Sequence, residues 1–454
     1  MLKPALFLTC CLASLLVAVV AFSGCSNTGS GSGFSSSAQD GGGGGPIGPG
    51  LGGSNGDGGC IGLGCKKVSC PGGGTTTISG QVFDPAGKNP LYDVAVYVPS
   101  TLPLPAQTEG VTCDRCGSTL LNPAASALTD EDGKFALTDV PVDANVPVVV
   151  QVGKWRKTYS ITVNACTDNP MPAPLTLPKN GSEGDMPQIA VAANILDSLE
   201  CLLVGMGVDA SEFVHGAGGS GHVHMFPAAE NSTLWASEST LKPYDMVLLD
   251  CEGGESPGDK SAAMLQGMHD YAGEGGRIFA THYHYLWFKG TSPGTSPSIS
   301  GLPDFEGTAN WKPSVASWAT GNSTFTVDQS FPKGVSFAKW LVNVGASTTP
   351  GSIDLADYAD SVDSVKSPPS TRWIYNGSNV EYMSFNTPTT AADTDQCGRV
   401  VFSDLHVSGL GVSSVDDCHF DSGGLTPQQK ALEFLLLDLS ACVQSDGVPP
   451  SAPR

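Results

Sequence analysis

Acidic and histidine side chains follow three apolar runs in the second half of the chain. Those that could exchange protons or bind a metal ion are Asp250, Glu252, Glu255, His282, His284, Asp404 and His406. Carboxylates and imidazoles serve as general acids and bases, and both bind divalent metals. Because the parallel strands of an open sheet bring their carboxyl ends to one crevice, we expect all seven side chains at the same edge of a sheet.

Within this set, His282, His406 and Asp404 are the candidate catalytic residues of a hydrolase. The segment His282-x-His284 is predicted to be extended, which would place both imidazoles on one face. Together with His406 they form a candidate site for a divalent metal, with zinc as the expected ion. The alternative is structural, since histidines after a strand also cap a sheet and hydrogen-bond to its backbone.

Ligand binding at the same edge is predicted for Glu252, Glu255, His284 and Trp287. The tryptophan belongs to an aromatic run that could stack against a sugar ring, although such runs more often pack in a core or a lid. Cys251 lies between two of the acidic residues. We interpret it as a core residue or a disulfide partner rather than a nucleophile, because a free thiol outside the cell is easily oxidised.

The elements that position these residues alternate between strand and helix over residues 186–443. Apolar runs at 188–192, 245–250, 276–282 and 398–404 predict strands, and residues 261–271 and 426–439 predict helices. This alternation is typical of an α/β fold with a doubly wound parallel sheet. Residues 290–395, rich in Pro, Ser and Gly, are predicted to form a largely irregular or β insertion.

Residues 75–178 have a different pattern, with short alternating strands separated by turn signals. Six or seven strands at this spacing predict a small β-sandwich. The segment 127–137 is predicted to be a hairpin, with Gly133 supplying the positive φ of its turn. The fold class is therefore a multidomain chain in which a β-sandwich precedes an α/β domain.

The N-terminal residues 1–25 have a basic residue, an apolar run and a small-residue end, the layout of a secretory signal peptide. Their last four residues, Phe-Ser-Gly-Cys25, resemble a bacterial lipoprotein box, which implies lipidation of Cys25 and attachment to a membrane. Ser26 after the cysteine implies an outer membrane or cell surface. Residues 26–74 are predicted to be a flexible Gly/Ser-rich tether, and residues 444–454 a disordered tail.

Composition limits the function classes. The chain has 454 residues and a net charge of -22, so we expect no nucleic-acid partner. Of its 14 cysteines, eleven follow Cys25, and in an oxidising compartment most should form disulfides while the odd number leaves at least one unpaired. A zinc cluster at Cys60, Cys65, Cys70, Cys113 and Cys116 is the alternative.

Three strings in the first region, I-S-G-Q-V-F-D, V-A-V-Y-V and T-D-E-D-G-K-F-A-L-T-D-V-P, resemble the carboxypeptidase regulatory-like domain. That family has a transthyretin-like sandwich, and some proteins of similar fold bind carbohydrate. The resemblance covers about 100 residues. It implies an adhesive or spacing role without catalytic residues.

The second region resembles the class I glutamine amidotransferase-like superfamily and its ThuA-like branch, whose sheet is of the flavodoxin type. The strings are Y-D-M-V-L-L-D-C-E-G-G-E, Y-A-G-E-G-G-R-I-F-A-T-H and C-G-R-V-V-F-S-D-L-H. An amidotransferase needs a cysteine on the turn after the third strand, where this chain has His282. Glutamine hydrolysis by that route is therefore not expected.

The whole mature chain resembles a set of myxobacterial surface lipoproteins that combine these two domains. The sequence thus predicts an envelope-anchored protein that binds or scaffolds carbohydrate or another polymer. The alternatives are an extracellular hydrolase that uses the crevice of the α/β domain, with or without a metal, and a purely structural envelope protein. The sequence leaves the ligand and the oligomeric state open.

Overall fold

The computed structural model describes residues 60–117, 122–194, 196–313, 321–407, 415–420 and 424–452. The predicted signal peptide, Cys25 and most of the predicted tether lie outside these residues. Residues 59–454 belong to one compact unit. Within the described ranges, no helix reaches the length and apolarity needed to cross a membrane.

Residues 75–178 form short strands, as predicted. They are β1 (Thr77–Phe83), β2 (Ala95–Val98), β3 (Ala125–Leu128), β4 (Lys134–Thr138), β5 (Val146–Val152), β6 (Trp155–Ile161), β7 (Asp168–Pro170) and β8 (Leu175–Thr176). One four-stranded sheet has the order β4-β1-β7, with β8 also paired to β1, and the other has the order β3-β2-β5-β6. Alternation places one face of each strand in the core, as in β4, where Phe135 and Leu137 are buried between exposed neighbours.

The predicted hairpin at 127–137 is wrong. Strand β3 pairs with β2, whereas β4 pairs with β1 in the other sheet. The intervening turn therefore crosses between two sheets, and the Asp130 carboxylate stabilises it by accepting hydrogen bonds from the backbone N–H groups of Asp132 and Lys134. Gly133 has a φ of 73°, and a Cβ there would lie 2.5 Å from the Val82 carbonyl oxygen, so the turn requires glycine.

The second region contains the remaining elements. Its strands are β9 (Ile189–Ala192), β10 (Phe213–His215), β11 (Val223–Phe226), β12 (Met246–Leu249), β13 (Arg277–Thr281), β14 (Ala309–Trp311), β15 (Ser323–Val327), β16 (Ser352–Leu355), β17 (Val362–Val365), β18 (Ser370–Asn376), β19 (Asn379–Thr387) and β20 (Gly398–Ser403). Its helices are α1 (Leu199–Met206), α2 (Asn231–Leu234), α3 (Glu238–Leu241), α4 (Ala262–Gly273), α5 (Leu286–Lys289), α6 (Pro303–Glu306), α7 (Pro332–Asn343) and α8 (Pro427–Ser440). Helix α8 begins with the predicted capping box, in which Thr426 and Gln429 exchange hydrogen bonds.

The large sheet is mixed rather than wholly parallel. Its order is β10-β11-β9-β12-β13-β20-β19-β18-β15-β16. The six strands from β10 to β20 are parallel, and the four from β19 to β16 continue the sheet in antiparallel pairs. All four antiparallel strands come from residues 290–395, so the predicted insertion supplies part of the central sheet. The resulting fold is mixed α/β with several sheets.

Apolar side chains cover both faces of the large sheet. One hydrophobic cluster includes Val82 and Val150 of the first region together with Leu202, Trp340 and Leu432 of the second. The two regions thus share a continuous core. A second cluster on the other face contains mainly residues of the second region, among them Leu249 and Phe402.

A buried network of ion pairs lies at the amino end of β20. Arg399 pairs with Asp438 of α8 at 2.8 Å and with Asp446 at 2.9 Å, and Lys333 of α7 pairs with Asp438 at 2.6 Å and with Asp93 at 3.3 Å. Burial alone would lower the pKa of Arg399, but the carboxylates of Asp438 and Asp446 raise it. Asp446 falls in the predicted disordered tail, yet it is 8% exposed and part of this network.

Disulfides join distant parts of the chain. The pairs are Cys60–Cys65, Cys70–Cys166, Cys113–Cys397, Cys116–Cys442 and Cys201–Cys418. The prediction of extensive disulfide bonding is confirmed, and the alternative zinc cluster is excluded because all five of its cysteines are paired. The last part of the predicted tether is thereby linked to the fold through Cys70. Cys251 is buried and has no disulfide partner.

Candidate functional site

Three adjacent parallel strands bring one cysteine and two histidines to the same edge of the large sheet. Strand β12 leads into Cys251, β13 into His282, and β20 into His406. Because β12, β13 and β20 are consecutive neighbours with matched register, their carboxyl ends lie side by side. His282 and His406, two of the seven residues expected at one sheet edge, lie here beside Cys251.

The three side chains form a compact cluster. The Cys251 sulfur lies 3.4 Å from Nδ1 of His282, and the imidazole centroids of His282 and His406 are 5.3 Å apart. One ligand atom from each residue lies within 4.8 Å of the other two. All three residues are at most 2% exposed, so the cluster is enclosed by the protein.

His282 has the backbone geometry of a sharp strand-to-helix turn. Its φ is 37°, in the left-handed region that non-glycine residues rarely adopt, and it begins a short 3₁₀ turn, His282–Tyr285. The prediction that His282-x-His284 is extended is therefore wrong. The turn directs the His282 ring towards Cys251.

His284 makes a different set of contacts. Its Nε2 donates to the Asp250 carbonyl oxygen at 2.8 Å, and its Nδ1 accepts from the Trp287 indole at 3.0 Å. Both ring nitrogens are therefore engaged, and burial lowers the pKa of His284 well below its ordinary value. The structure places Cys251, rather than His284, beside His282 and His406.

Asp197, which the sequence analysis did not single out, connects the loops around the cluster. Its carboxylate accepts from the backbone N–H of Val407 at 2.8 Å and of Ser198 at 3.0 Å, and also from that of Cys251. Asp197 thus holds the residues after β9, β12 and β20 in fixed relation. Burial raises its pKa to about 6.

Titration in this region favours uncharged forms. Burial lowers the pKa of His282 to about 3 and that of His406 to about 3. Burial also raises the pKa of the Cys251 thiol to about 12, although the backbone N–H groups of Gly253 and Tyr283 oppose this change. A neutral thiol beside neutral imidazoles is the form expected near pH 7.

Two further carboxyl groups lie behind Cys251. Asp250 accepts hydrogen bonds from the backbone N–H groups of Leu199 and Asn194, each at 3.3 Å. Its carboxyl group also interacts with Glu200 at the start of α1. Burial raises the pKa of Asp250 well above its ordinary value, and burial raises that of Glu200 to about 7. Both groups therefore favour the protonated form more than a free carboxyl group does.

The other predicted residues contact groups outside the cluster. Asp404 accepts from the backbone N–H and the hydroxyl of Ser361, each at 2.7 Å, and burial raises its pKa to about 7. Glu252 forms an ion pair with Lys260, which is buried against the ring of Trp287. These contacts hold the predicted catalytic aspartate and two of the predicted binding residues in place.

Glu255 lies on the loop after β12 and is half-buried. Its carboxylate accepts hydrogen bonds from the Tyr285 hydroxyl and from the backbone N–H of Ser292, the latter at 2.7 Å. Burial would raise its pKa, but these hydrogen bonds lower it below the ordinary value. Of the four predicted binding residues, none extends into open solvent as a free side chain.

A cavity of about 330 Å³ lies away from the cluster, between the first region and the segment that follows α8. The polar residues that line it include Asp93, Ser100, Gln107, Gln151, Arg156 and Gln444. Tyr97 also lines it and donates a hydrogen bond to Gln151 at 2.9 Å. Volumes of this order are typical of small-ligand sites.

Comparisons with known proteins give limited likenesses. No protein-family model matches the chain, and no curated protein matches it. A solved ThuA-like protein from Bacteroides uniformis is 11% identical over 55% of this chain and 89% of that chain, with a TM-score of 0.30. A cytoplasmic protein of Salmonella typhimurium LT2 is 12% identical over 57% and 100%, with a TM-score of 0.33.

A type II cohesin–X-dockerin complex from Acetivibrio cellulolyticus is also similar in part. It is 16% identical over 32% of this chain and 78% of that chain, with a TM-score of 0.16. At these identities and TM-scores the likenesses support no conclusion about activity. The functional argument therefore depends on the residues themselves.

Proposed function

We propose that the chain is an exported protein, anchored to an envelope through a lipid on Cys25, that binds carbohydrate or another envelope polymer. Export is supported by the cysteines, since ten of the eleven after Cys25 form disulfides. Such dense pairing is typical of oxidising compartments. The sequence resemblance of the first region to the carboxypeptidase regulatory-like domain adds to the proposal, because some proteins of similar fold bind carbohydrate.

The observation that carries the binding role is the 330 Å³ cavity, in contrast to the enclosed Cys251 cluster. Its lining combines hydrogen-bond donors with hydrogen-bond acceptors. It also contains both a basic residue, Arg156, and an acidic residue, Asp114. A polyhydroxylated ligand offers hydroxyl groups that both donate and accept, so it matches this lining. We therefore assign the binding surface to the cavity.

A substitution at the mouth of the cavity tests this assignment. Ala106 lines the cavity and is exposed, so Ala106→Trp should obstruct the cavity without disturbing the core. Ala144 is also exposed but is not among the lining residues, which makes Ala144→Trp a matched control. We expect the purified full-length chain and the control to bind one or more members of a panel of soluble envelope glycans, and Ala106→Trp to lose that binding.

The binding proposal fails if the folded protein binds no glycan of the panel, or if Ala106→Trp binds as well as the control. Anchoring is tested separately by fractionating cells that express wild type or Cys25→Ser. Wild type should sediment with the membranes and carry a diacylglyceryl group on Cys25, which mass spectrometry detects, and the variant should lack that group. An unmodified Cys25 in the membrane-associated wild type would disprove lipid anchoring at this residue.

A hydrolase at the sheet edge is the second candidate, favoured by the strained turn that brings His282 against Cys251. Such an enzyme would use His282, His406 and Asp404 on an extracellular glycan or amide. Turnover of a glycan or amide by the purified chain, abolished in His406→Gln, would establish this function. Glycan binding without turnover would favour the binding role.

A further inference from the structure

We propose that Cys251, His282 and His406 together bind one transition-metal ion of the zinc class. The proposal is independent of the glycan cavity and of the lipid anchor. It starts from the distances, because the three ligand atoms already lie within 4.8 Å of one another. In a tetrahedral zinc site, with a Zn–S bond of roughly 2.3 Å and Zn–N bonds of roughly 2.0 Å, ligand atoms are about 3.3–3.6 Å apart. The sulfur-to-Nδ1 distance between Cys251 and His282 is 3.4 Å.

The hydrogen bonding orients the donors for a metal. Nδ1 of His406 lies 3.1 Å from the Leu196 carbonyl oxygen, which can only accept, so Nδ1 carries the proton. The lone pair is then on Nε2, the nitrogen that would ligate a metal. An imidazole fixed by a backbone carbonyl in this way is a recurrent feature around metal ligands.

Backbone hydrogen-bond donors lie close to the sulfur of Cys251. Backbone N–H groups of Gly253 and Tyr283 interact favourably with the charged form of Cys251. Asp197 holds the backbone of Cys251 and of Val407, the neighbour of His406, so two ligands are fixed by a single carboxylate. The cluster therefore has ligands and a supporting layer of hydrogen bonds.

The donor set indicates the class of metal. One thiolate and two imidazoles suit zinc and its neighbours, whereas magnesium and calcium prefer oxygen ligands. Binding converts the Cys251 thiol to a thiolate, forms the metal–sulfur bond and releases one proton to solvent. The bound divalent ion and the thiolate together leave one positive charge close to the carboxyl group of Asp197, which hydrogen-bonds to the Cys251 backbone.

The position of Cys251 also distinguishes it from the other cysteines after Cys25. The remaining ten are paired, while this one is enclosed beside two imidazoles. A cysteine nucleophile would need an open route for its substrate and an accessible thiolate. The 0% exposure of Cys251 favours a metal ligand over a nucleophile.

Cobalt(II) is a suitable probe, because it replaces zinc and its charge-transfer absorption reports a thiolate ligand. We expect the purified full-length chain, stripped with a chelator under non-reducing conditions, to bind one Co²⁺ per chain with this absorption, and Zn²⁺ to displace it. Cys251→Ser should lose the band. His406→Gln should weaken Co²⁺ binding by at least tenfold, since even the loss of outer-layer partners weakens metal sites by roughly 10–100-fold.

His215→Gln provides the control, because His215 is an exposed histidine that also faces a carboxylate, Glu230. It should bind Co²⁺ as wild type does. If Cys251→Ser fails to fold, X-ray absorption of the cobalt-loaded wild type decides the matter, with one sulfur at about 2.3 Å and nitrogen or oxygen at about 2.0 Å expected. Folded wild type without stoichiometric Co²⁺, a cobalt site without sulfur, or undiminished binding by folded Cys251→Ser would each overturn the proposal.

Discussion

The amino end of strand β20 contains Arg399, whose guanidinium group pairs with two carboxylates. At its carboxyl end, the same strand leads to His406, which lies against His282 and near Cys251. Both ends are buried, but they avoid the cost of buried charge by different means. At the first end opposite charges neutralise one another, and at the second end the groups adopt their uncharged forms.

The difference determines what each end can do. In the Arg399 network every charged group already pairs with an opposite charge, and an added cation would meet the arginine and the lysine. At the Cys251 end, the two imidazoles have low pKa values and the thiol has a high one. These three side chains therefore offer lone pairs and an exchangeable proton, and none of them carries a positive charge. One end is therefore suited to stability and the other to binding a metal.

The largest expected effect is on the charged end. Arg399→Met would leave Asp438 and Asp446 buried without their shared partner, and we expect a loss of about 3–5 kcal/mol in the free energy of unfolding. Lys339→Met, which removes an exposed ion pair to Glu131, should change stability by less than about 1 kcal/mol. Denaturant titration of the disulfide-intact proteins measures both, and equal effects would contradict the account of the network.

At the Cys251 end of β20, we expect a bound metal ion to raise the free energy of unfolding. At a free Zn²⁺ concentration of about 100 times Kd, ligand binding to the native state adds about 2.7 kcal/mol to the free energy of unfolding. We expect this gain in wild type and its absence in Cys251→Ser. Thermal unfolding with and without Zn²⁺ measures the shift, and an equal shift in both proteins would point to binding elsewhere.

A third prediction concerns pH. Glu381 lies on β19, next to the carboxyl end of β20, and burial raises its pKa to about 9. The folded protein therefore retains a proton that the unfolded chain releases above about pH 4, so this group makes stability fall as pH rises from about 4 to 9. Glu381→Gln should remove a slope on the order of 1 kcal/mol per pH unit.

Unfolding of wild type and Glu381→Gln at a series of pH values between 5 and 8 tests this sign. The advantage of the variant should grow as pH rises. A constant difference between the two proteins would show that Glu381 titrates normally in the fold.

The smallest expected effect is a lack of reaction between the Cys251 thiol and an alkylating reagent. With 0% exposure and a pKa of about 12, native metal-free Cys251 should resist maleimide, because the thiolate is the reactive form. After denaturation without reductant, peptide mapping should find Cys251 alkylated and the five disulfides intact. Rapid labelling of the native protein would indicate an open route to the sulfur.

Much of the parallel half of the sheet could be predicted from sequence, because buried parallel strands have continuous apolar runs such as Val247–Leu249. The capping box of α8 was equally legible. For residues 290–395 the sequence predicted only a largely irregular or β insertion and no individual strand, because a segment such as β18, Ser370–Asn376, lacks the polar–apolar alternation that indicates a strand. The place of such strands in the central sheet depends on long-range pairing, which local patterns do not encode.

At the candidate site, the sequence pointed to one edge of the sheet and to His282 and His406, whose rings lie together there. It did not indicate that Cys251 joins them, because the left-handed turn at His282 decides which ring faces the sulfur. Asp197 was missed as well, although an acidic residue just before a helix at the end of β9 is a signal that could have been used. Its role depends on two backbone groups more than 50 and 200 residues away along the chain.

The disulfides Cys113–Cys397 and Cys116–Cys442 span 284 and 326 residues. A pull applied between the two termini would pass through these bridges and bypass nearly all of the chain between them. The large sheet and its Cys251 cluster would then bear little tension. The tension would act on the segments of chain outside the two bridges. A chain cross-linked in this way resists lengthening when its two ends are pulled apart.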